Sequence, residues 1–124
     1  MRYGIYTLFI ALWTTACYAA PNFTGIYKCK GFDPYLNKEY SGTIRIIPQN
    51  TVYSLEMEYN TGDKAIGTGG LYDDNTIAVV FQNVKDLKKV GLERYSYSQD
   101  HLSIQGYWVY LGQDKLGKEV CEKM

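Results

Sequence analysis

Between Thr51 and Tyr59 the chain alternates with a period of two. Tyr53, Leu55, Met57 and Tyr59 fall on one face, and Ser54, Glu56 and Glu58 on the other. A pleated strand sends successive side chains to opposite sides, so this pattern predicts a strand with one buried and one wet face. Similar alternation recurs from Phe23 onward, and no segment sustains a helical period. Turn-forming groups punctuate it: Asp33-Pro34 with Asn37, Pro48-Gln49-Asn50, Thr61-Gly62-Asp63, Asp73-Asp74-Asn75, Ser98-Gln99-Asp100 and Gly112-Gln113-Asp114.

These boundaries predict eight strands, over 23–30, 40–47, 51–59, 64–72, 76–82, 89–97, 101–110 and 116–122. Most links are short, which suits antiparallel hairpins and excludes parallel crossovers. Residues 83–88 form a longer link with room for one helical turn. The expected fold is all-β: a single eight-stranded antiparallel up-and-down meander that closes into a barrel, because closure removes exposed strand edges. Glycines inside the strands (Gly25, Gly42, Gly67, Gly69, Gly70, Gly91, Gly106) fit the sharp bends of a small barrel.

The N-terminus changes the picture of where this barrel works. Met1-Arg2-Tyr3 is a short positive start, Gly4–Trp13 is apolar, and small residues lead to Ala19. That is the plan of a secretory signal peptide, with an apolar run too short for the roughly 20 residues of a membrane span. Cleavage after Ala19 leaves residues 20–124 as the mature domain. In an alternative reading, Thr14-Thr15-Ala16-Cys17 is a lipobox, and acylated Cys17 anchors the protein to a membrane. Both readings remove Cys17 from an odd set of three cysteines and leave Cys29 with Cys121. In an oxidising compartment these two are expected to form a disulfide between the first and last strands, the alternative being two buried free thiols. Localisation is expected to be periplasmic or secreted.

Charge and composition exclude several roles. Lysine and arginine number 13, as do aspartate and glutamate, so no basic field exists to attract nucleic acid. His101 beside Asp100 makes no triad without a placed nucleophile, and reads as a solvated strand-end residue. Asp73-Asp74-Asn75 lacks the spacing of a Ca²⁺ loop and reads as a turn. Gly67-Thr68-Gly69-Gly70 lacks the lysine and helix of a phosphate loop. Glu56, Glu58 and Glu93 are carboxylates, but Glu56 and Glu58 lie on the wet face. Asn22-Phe23-Thr24 matches a glycosylation sequon, which a bacterial host would ignore. No catalytic residue, metal site or cofactor is expected.

The constellation with binding potential is aromatic. Of 13 tyrosines, most lie in strands, where Tyr53, Tyr59, Tyr95, Tyr97, Trp108 and Tyr110 cluster. A barrel of eight strands is just wide enough to fill its core or to hold one small ligand. Tyr53, Tyr59, Tyr95 and Trp108 are the candidate ligand-lining residues, with core filling as the alternative role for the same rings.

Gly25-Ile26-Tyr27-Lys28-Cys29-Lys30-Gly31, Tyr40-Ser41-Gly42-Thr43-Ile44, Ile104-Gln105-Gly106-Tyr107-Trp108 and Gly117-Lys118-Glu119-Val120-Cys121 together resemble a set of small exported bacterial proteins. Most of that set are uncharacterised, and some carry a fibronectin-binding label. The resemblance implies a lipocalin/avidin-like barrel and transfers no active site. Tyr27-Lys28-Cys29 with Cys121 is similar, more distantly, to the frame of periplasmic C-type lysozyme inhibitors. Gly91–Ser96 is the nearest counterpart of their enzyme-directed loop. The functional expectation is a non-enzymatic envelope module with an unknown protein or small-ligand partner in the envelope or host. The alternatives are a carrier of a small apolar or aromatic ligand, or a lysozyme-type inhibitor.

Overall fold

The computed structural model describes residues 22–124, so the expected signal peptide and Cys17 lie outside the described residues. Eight strands follow in chain order: β1 (Gly25–Asp33), β2 (Lys38–Gln49), β3 (Val52–Tyr59), β4 (Lys64–Asp73), β5 (Thr76–Asn83), β6 (Val90–Tyr97), β7 (Ser103–Tyr110) and β8 (Gly117–Lys123). Each pairs antiparallel with its sequence neighbour, and β8 returns to β1, closing the barrel. No helix is present among the described residues. Closure leaves no strand edge free for another chain to extend.

Alternation sorts the side chains as the sequence implied. In β3, Leu55 and Met57 are buried while Glu56 and Glu58 are exposed. Glu58 pairs with Lys64 across the surface at 3.4 Å, a screened contact of little energetic weight. The middle of the barrel is apolar, filled by Ile44, Ile46, Leu55, Met57, Ile77, Val79 and Ile104. Cys29 and Cys121 are direct partners in the β1–β8 register and form a disulfide with Cα atoms 4.0 Å apart. The staple thus fastens the seam where the last strand meets the first.

The strand glycines have a second use beyond bending. Large interior rings face glycines across the ladder: Tyr40 faces Gly31, Tyr59 faces Gly42, Tyr95 faces Gly106 and Trp108 faces Gly117. A Cβ on Gly117 would lie 2.0 Å from the Trp108 ring, and one on Gly31 would lie 2.2 Å from Tyr40. The missing side chain is the seat of the ring opposite.

Three local expectations change. The 83–88 link makes no helical turn. The Asn83 side-chain carbonyl instead accepts the Lys85 and Asp86 N–H groups at 2.8 and 2.9 Å, and this local capping competes with helix. β1 and β2 run further than expected, to Asp33 and from Lys38, because their register continues to the turn. His101 lies in the turn before β7 with φ 59°, not in the strand.

The N-terminal segment also departs from a simple strand. Gly25 has φ 154°, a value that residues with side chains rarely adopt, and the chain turns there across the end of the barrel. Phe23 is fully buried, stacked on Tyr97 at 4.4 Å and edge-on to Tyr53 at 6.2 Å. The Tyr27 hydroxyl donates to the Phe23 carbonyl at 2.8 Å, and the Tyr97 hydroxyl donates to the Asn22 carbonyl. One end of the barrel is therefore plugged by the chain itself.

Candidate functional site

The opposite end is open. Four links rim it, joining β1 to β2, β3 to β4, β5 to β6 and β7 to β8. Part of the rim is tied down, since the Tyr35 hydroxyl donates to Asp114 at 2.9 Å and accepts the Lys115 N–H at 2.8 Å. Within the rim lies a cavity of about 370 Å³, walled by Tyr40, Tyr59, Phe81, Trp108 and Tyr110, with Ala65 and Glu93 also facing it. The rings meet edge to face: Tyr40 with Tyr59 at 5.4 Å, Phe81 with Tyr110 at 5.3 Å, and Trp108 with Tyr110 at 5.8 Å. Such contacts hold aromatic walls in fixed orientation.

Below the rings the interior turns acidic. Glu93 of β6 and Glu119 of β8 are both buried, an arrangement that is costly unless the groups are partnered or neutralised. Glu119 is partnered: the Tyr40 hydroxyl donates to Oε1 at 3.1 Å, and the Tyr95 hydroxyl donates to Oε2. Glu93 is less well served: its Oε2 is buried without a hydrogen-bond partner of good geometry, although the Tyr95 hydroxyl and the Glu119 carboxyl lie close to the group. Burial first, and the Glu119 charge second, hold the Glu93 carboxyl protonated well above the ordinary carboxylate range. Burial raises Glu119 as well, opposed by the hydroxyls of Tyr95 and Tyr40 and by Glu93. Both carboxyls therefore favour the protonated form over an ordinary carboxylate, and the two titrate as a pair. Burial likewise lifts the Tyr40, Tyr59 and Tyr95 hydroxyls above their usual range, so all three remain donors.

Trp108 supplies a second orphan. Its indole Nε1 is buried with no acceptor at hydrogen-bonding geometry, although the Tyr40 hydroxyl is nearby and gives its own proton to Glu119. Glu93 and Trp108 are direct cross-strand partners in the β6–β7 register. The third orphan among the described residues, Thr24 Oγ1, lies near the plugged end.

Among the sequence-derived candidates, Tyr59 and Trp108 line the cavity. Tyr95 lies fully buried beneath it as a donor to Glu119, and Tyr53 sits at the plugged end against Phe23. Glu119 was not among the candidates, and Glu93 was not placed. Strand parity locates both: Glu93 shares a face with Tyr95 and Tyr97, and Glu119 shares one with Cys121. The sulfurs of Cys29 and Cys121 approach the Glu119 carboxylate, but the disulfide occupies both. Gly91–Ser96 forms part of β6 in the barrel wall and is no protruding loop. His101 is exposed beside the Tyr97 ring at 5.4 Å.

A larger hollow of about 510 Å³ lies over β8, β1 and β2, open to solvent between Lys30, Phe32 and Lys118. Convergent rings and orphaned polar atoms single out the mouth instead.

The molecule is thus a stapled up-and-down barrel with one plugged end and one open aromatic mouth. No family model matches the chain, and no curated protein shows a significant match. Solved structures do resemble it. A redesigned β barrel superposes with TM-score 0.73 at 9% identity, covering 88% of this chain and 97% of that one. A second redesigned barrel, bound to DFHBI, gives 0.64 at 10% identity over 78% and 92%. A fluorescence-activating β barrel made by de novo design gives 0.63 at 13% identity over 86% and 97%. At these identities the likeness concerns the fold.

Proposed function

We propose that this protein is a non-enzymatic, exported binding module whose ligand is a small, flat molecule seated in the open mouth. The observation that carries this reading is the mouth itself: rings around about 370 Å³, with two orphaned polar atoms on the cross-strand partners Glu93 and Trp108. Ligand sites are mostly apolar concavities with a few placed polar groups, and a buried unpaired donor or acceptor is satisfied when a ligand supplies its complement. Related barrel architecture holds a small molecule in the redesigned barrel bound to DFHBI. The signal-peptide pattern and the disulfide support export to an oxidising compartment, periplasmic or extracellular.

One experiment reads both parts. Protein recovered from the exporting cells without denaturant is expected to start at Ala20 by intact mass. By native mass spectrometry it is expected to take up one molecule of a bicyclic aromatic probe, isoquinolin-1(2H)-one. Ala65→Phe fills the mouth from β4 and is expected to abolish that adduct while leaving the β-sheet spectrum unchanged. An adduct indifferent to Ala65→Phe would put the ligand elsewhere and overturn the reading.

A further inference from the structure

We infer that the mouth reads a cyclic-amide edge: Trp108 Nε1 donates to a ring carbonyl while Glu93 accepts the adjacent ring N–H. The inference rests on the reading of the mouth as a ligand site and names the chemical class that site would take, the flat heterocyclic lactams and imides.

Three observations converge. Trp108 lines the cavity with its ring seated on Gly117, and its buried Nε1, a donor only, has no acceptor at hydrogen-bonding geometry. Glu93 lines the same cavity, and its Oε2 is buried without a hydrogen-bond partner of good geometry. A carboxyl keeps an acceptor oxygen whether or not its other oxygen carries a proton, so Glu93 presents an acceptor in either state. The β6–β7 register then sets the two side chains directly opposite each other, where Cβ atoms stand roughly 4.5–5.5 Å apart. A donor next to an acceptor is complementary to an acceptor next to a donor, and a cyclic amide carries that pair in one rigid plane. The walls of Tyr40, Tyr59, Phe81 and Tyr110 suit a flat ring.

Charge does not compete with this recognition. Asp33, Glu39 and Asp63 at the rim are balanced by Lys38, Lys88 and Lys89, and all six are open to screening by solvent. Glu119 beneath is already served by Tyr40 and Tyr95, which leaves Glu93 and Trp108 as the reading pair.

A matched probe series tests the edge. Isoquinolin-1(2H)-one carries the carbonyl and the N–H, its N-methyl derivative lacks the N–H, and indole keeps a ring N–H without the carbonyl. Isothermal titration is expected to show the lactam binding about 10–100-fold more tightly than either, the cost of leaving a buried partner unsatisfied. Trp108→Phe is expected to remove the preference over indole. Glu93→Leu is expected to remove the preference over the N-methyl compound, and Glu93→Gln, which keeps an acceptor, to retain it. If Glu93→Leu fails to fold, the wild-type ranking and the Glu93→Gln result still decide. Equal binding of all three probes overturns the edge and leaves the mouth standing as a shape-selective site. Binding of none overturns both.

Discussion

At the scale of residues, the acid pair at the base of the mouth governs how the protein responds to pH. Glu93 has a folded-state pKa well above its unfolded value of 4.5, because burial and the Glu119 charge both oppose its ionisation. A group of this kind binds more protons in the folded state. Its stabilising contribution is complete below the unfolded value and is lost as pH rises through the folded one. Glu119 shifts in the same direction. The wild-type melting temperature is therefore expected to fall as pH rises above about 4.5, by the reasoning of proton linkage. Glu93→Gln keeps the shape of the protonated acid and cannot ionise, so it is expected to flatten that fall. Its advantage on the alkaline side should reach at least ~1 kcal/mol, about 4–8 °C in Tm for a domain of this size. Calorimetry between pH 4 and 9 checks this, and parallel curves for the two proteins would exclude a titrating Glu93.

At the scale of elements, two devices finish what the ladders begin. The first is the plug: Gly25 turns the chain, and Phe23 fills the end of the barrel against Tyr53 and Tyr97. Phe23 alternates in phase with Gly25 and Tyr27, so the sequence pattern extends the strand through it. Only the barrel end, assembled from distant strands, shows that the ring caps the interior. The second device is the β1–β8 seam, with Cys29 and Cys121 separated by 92 residues in sequence. In the chain-entropy model a cross-link over so long a loop contributes roughly 4–5 kcal/mol, as an upper figure. Reduction is expected to lower the urea midpoint while the barrel remains folded in water, read by tryptophan emission with and without dithiothreitol. Superimposable curves would mean that the ladder alone carries the seam.

At the scale of the whole molecule, strand number, antiparallel order and the position of the staple were legible, because each follows from local patterns. Tyr53, Leu55, Met57 and Tyr59 declare an inward face without reference to any partner. The mouth was half legible. Parity turns Tyr53, Tyr59 and Trp108 inward alike, but nothing in composition says which end of the barrel stays open and so which of these rings meet the mouth. The acids illustrate the remaining gap. Glu56 and Glu93 are the same residue type in similar strands, and only parity against neighbours sends one to water and the other to the core. Likewise, Gly31 and Gly117 became intelligible once Tyr40 and Trp108 were found opposite them.

The Trp108 indole proton reports directly on a ligand seated in the mouth upon Trp108 and Glu93. In proton–nitrogen correlation spectra, assigned by its loss in Trp108→Phe, the Nε1–H resonance is expected to move downfield and saturate as isoquinolin-1(2H)-one is added. Backbone amides of Tyr59, Ala65 and Tyr110 should shift along with it. An indole resonance that stays fixed while the amides of Lys30 and Lys118 move would place binding on the outer wall and contradict a ligand seat in the mouth.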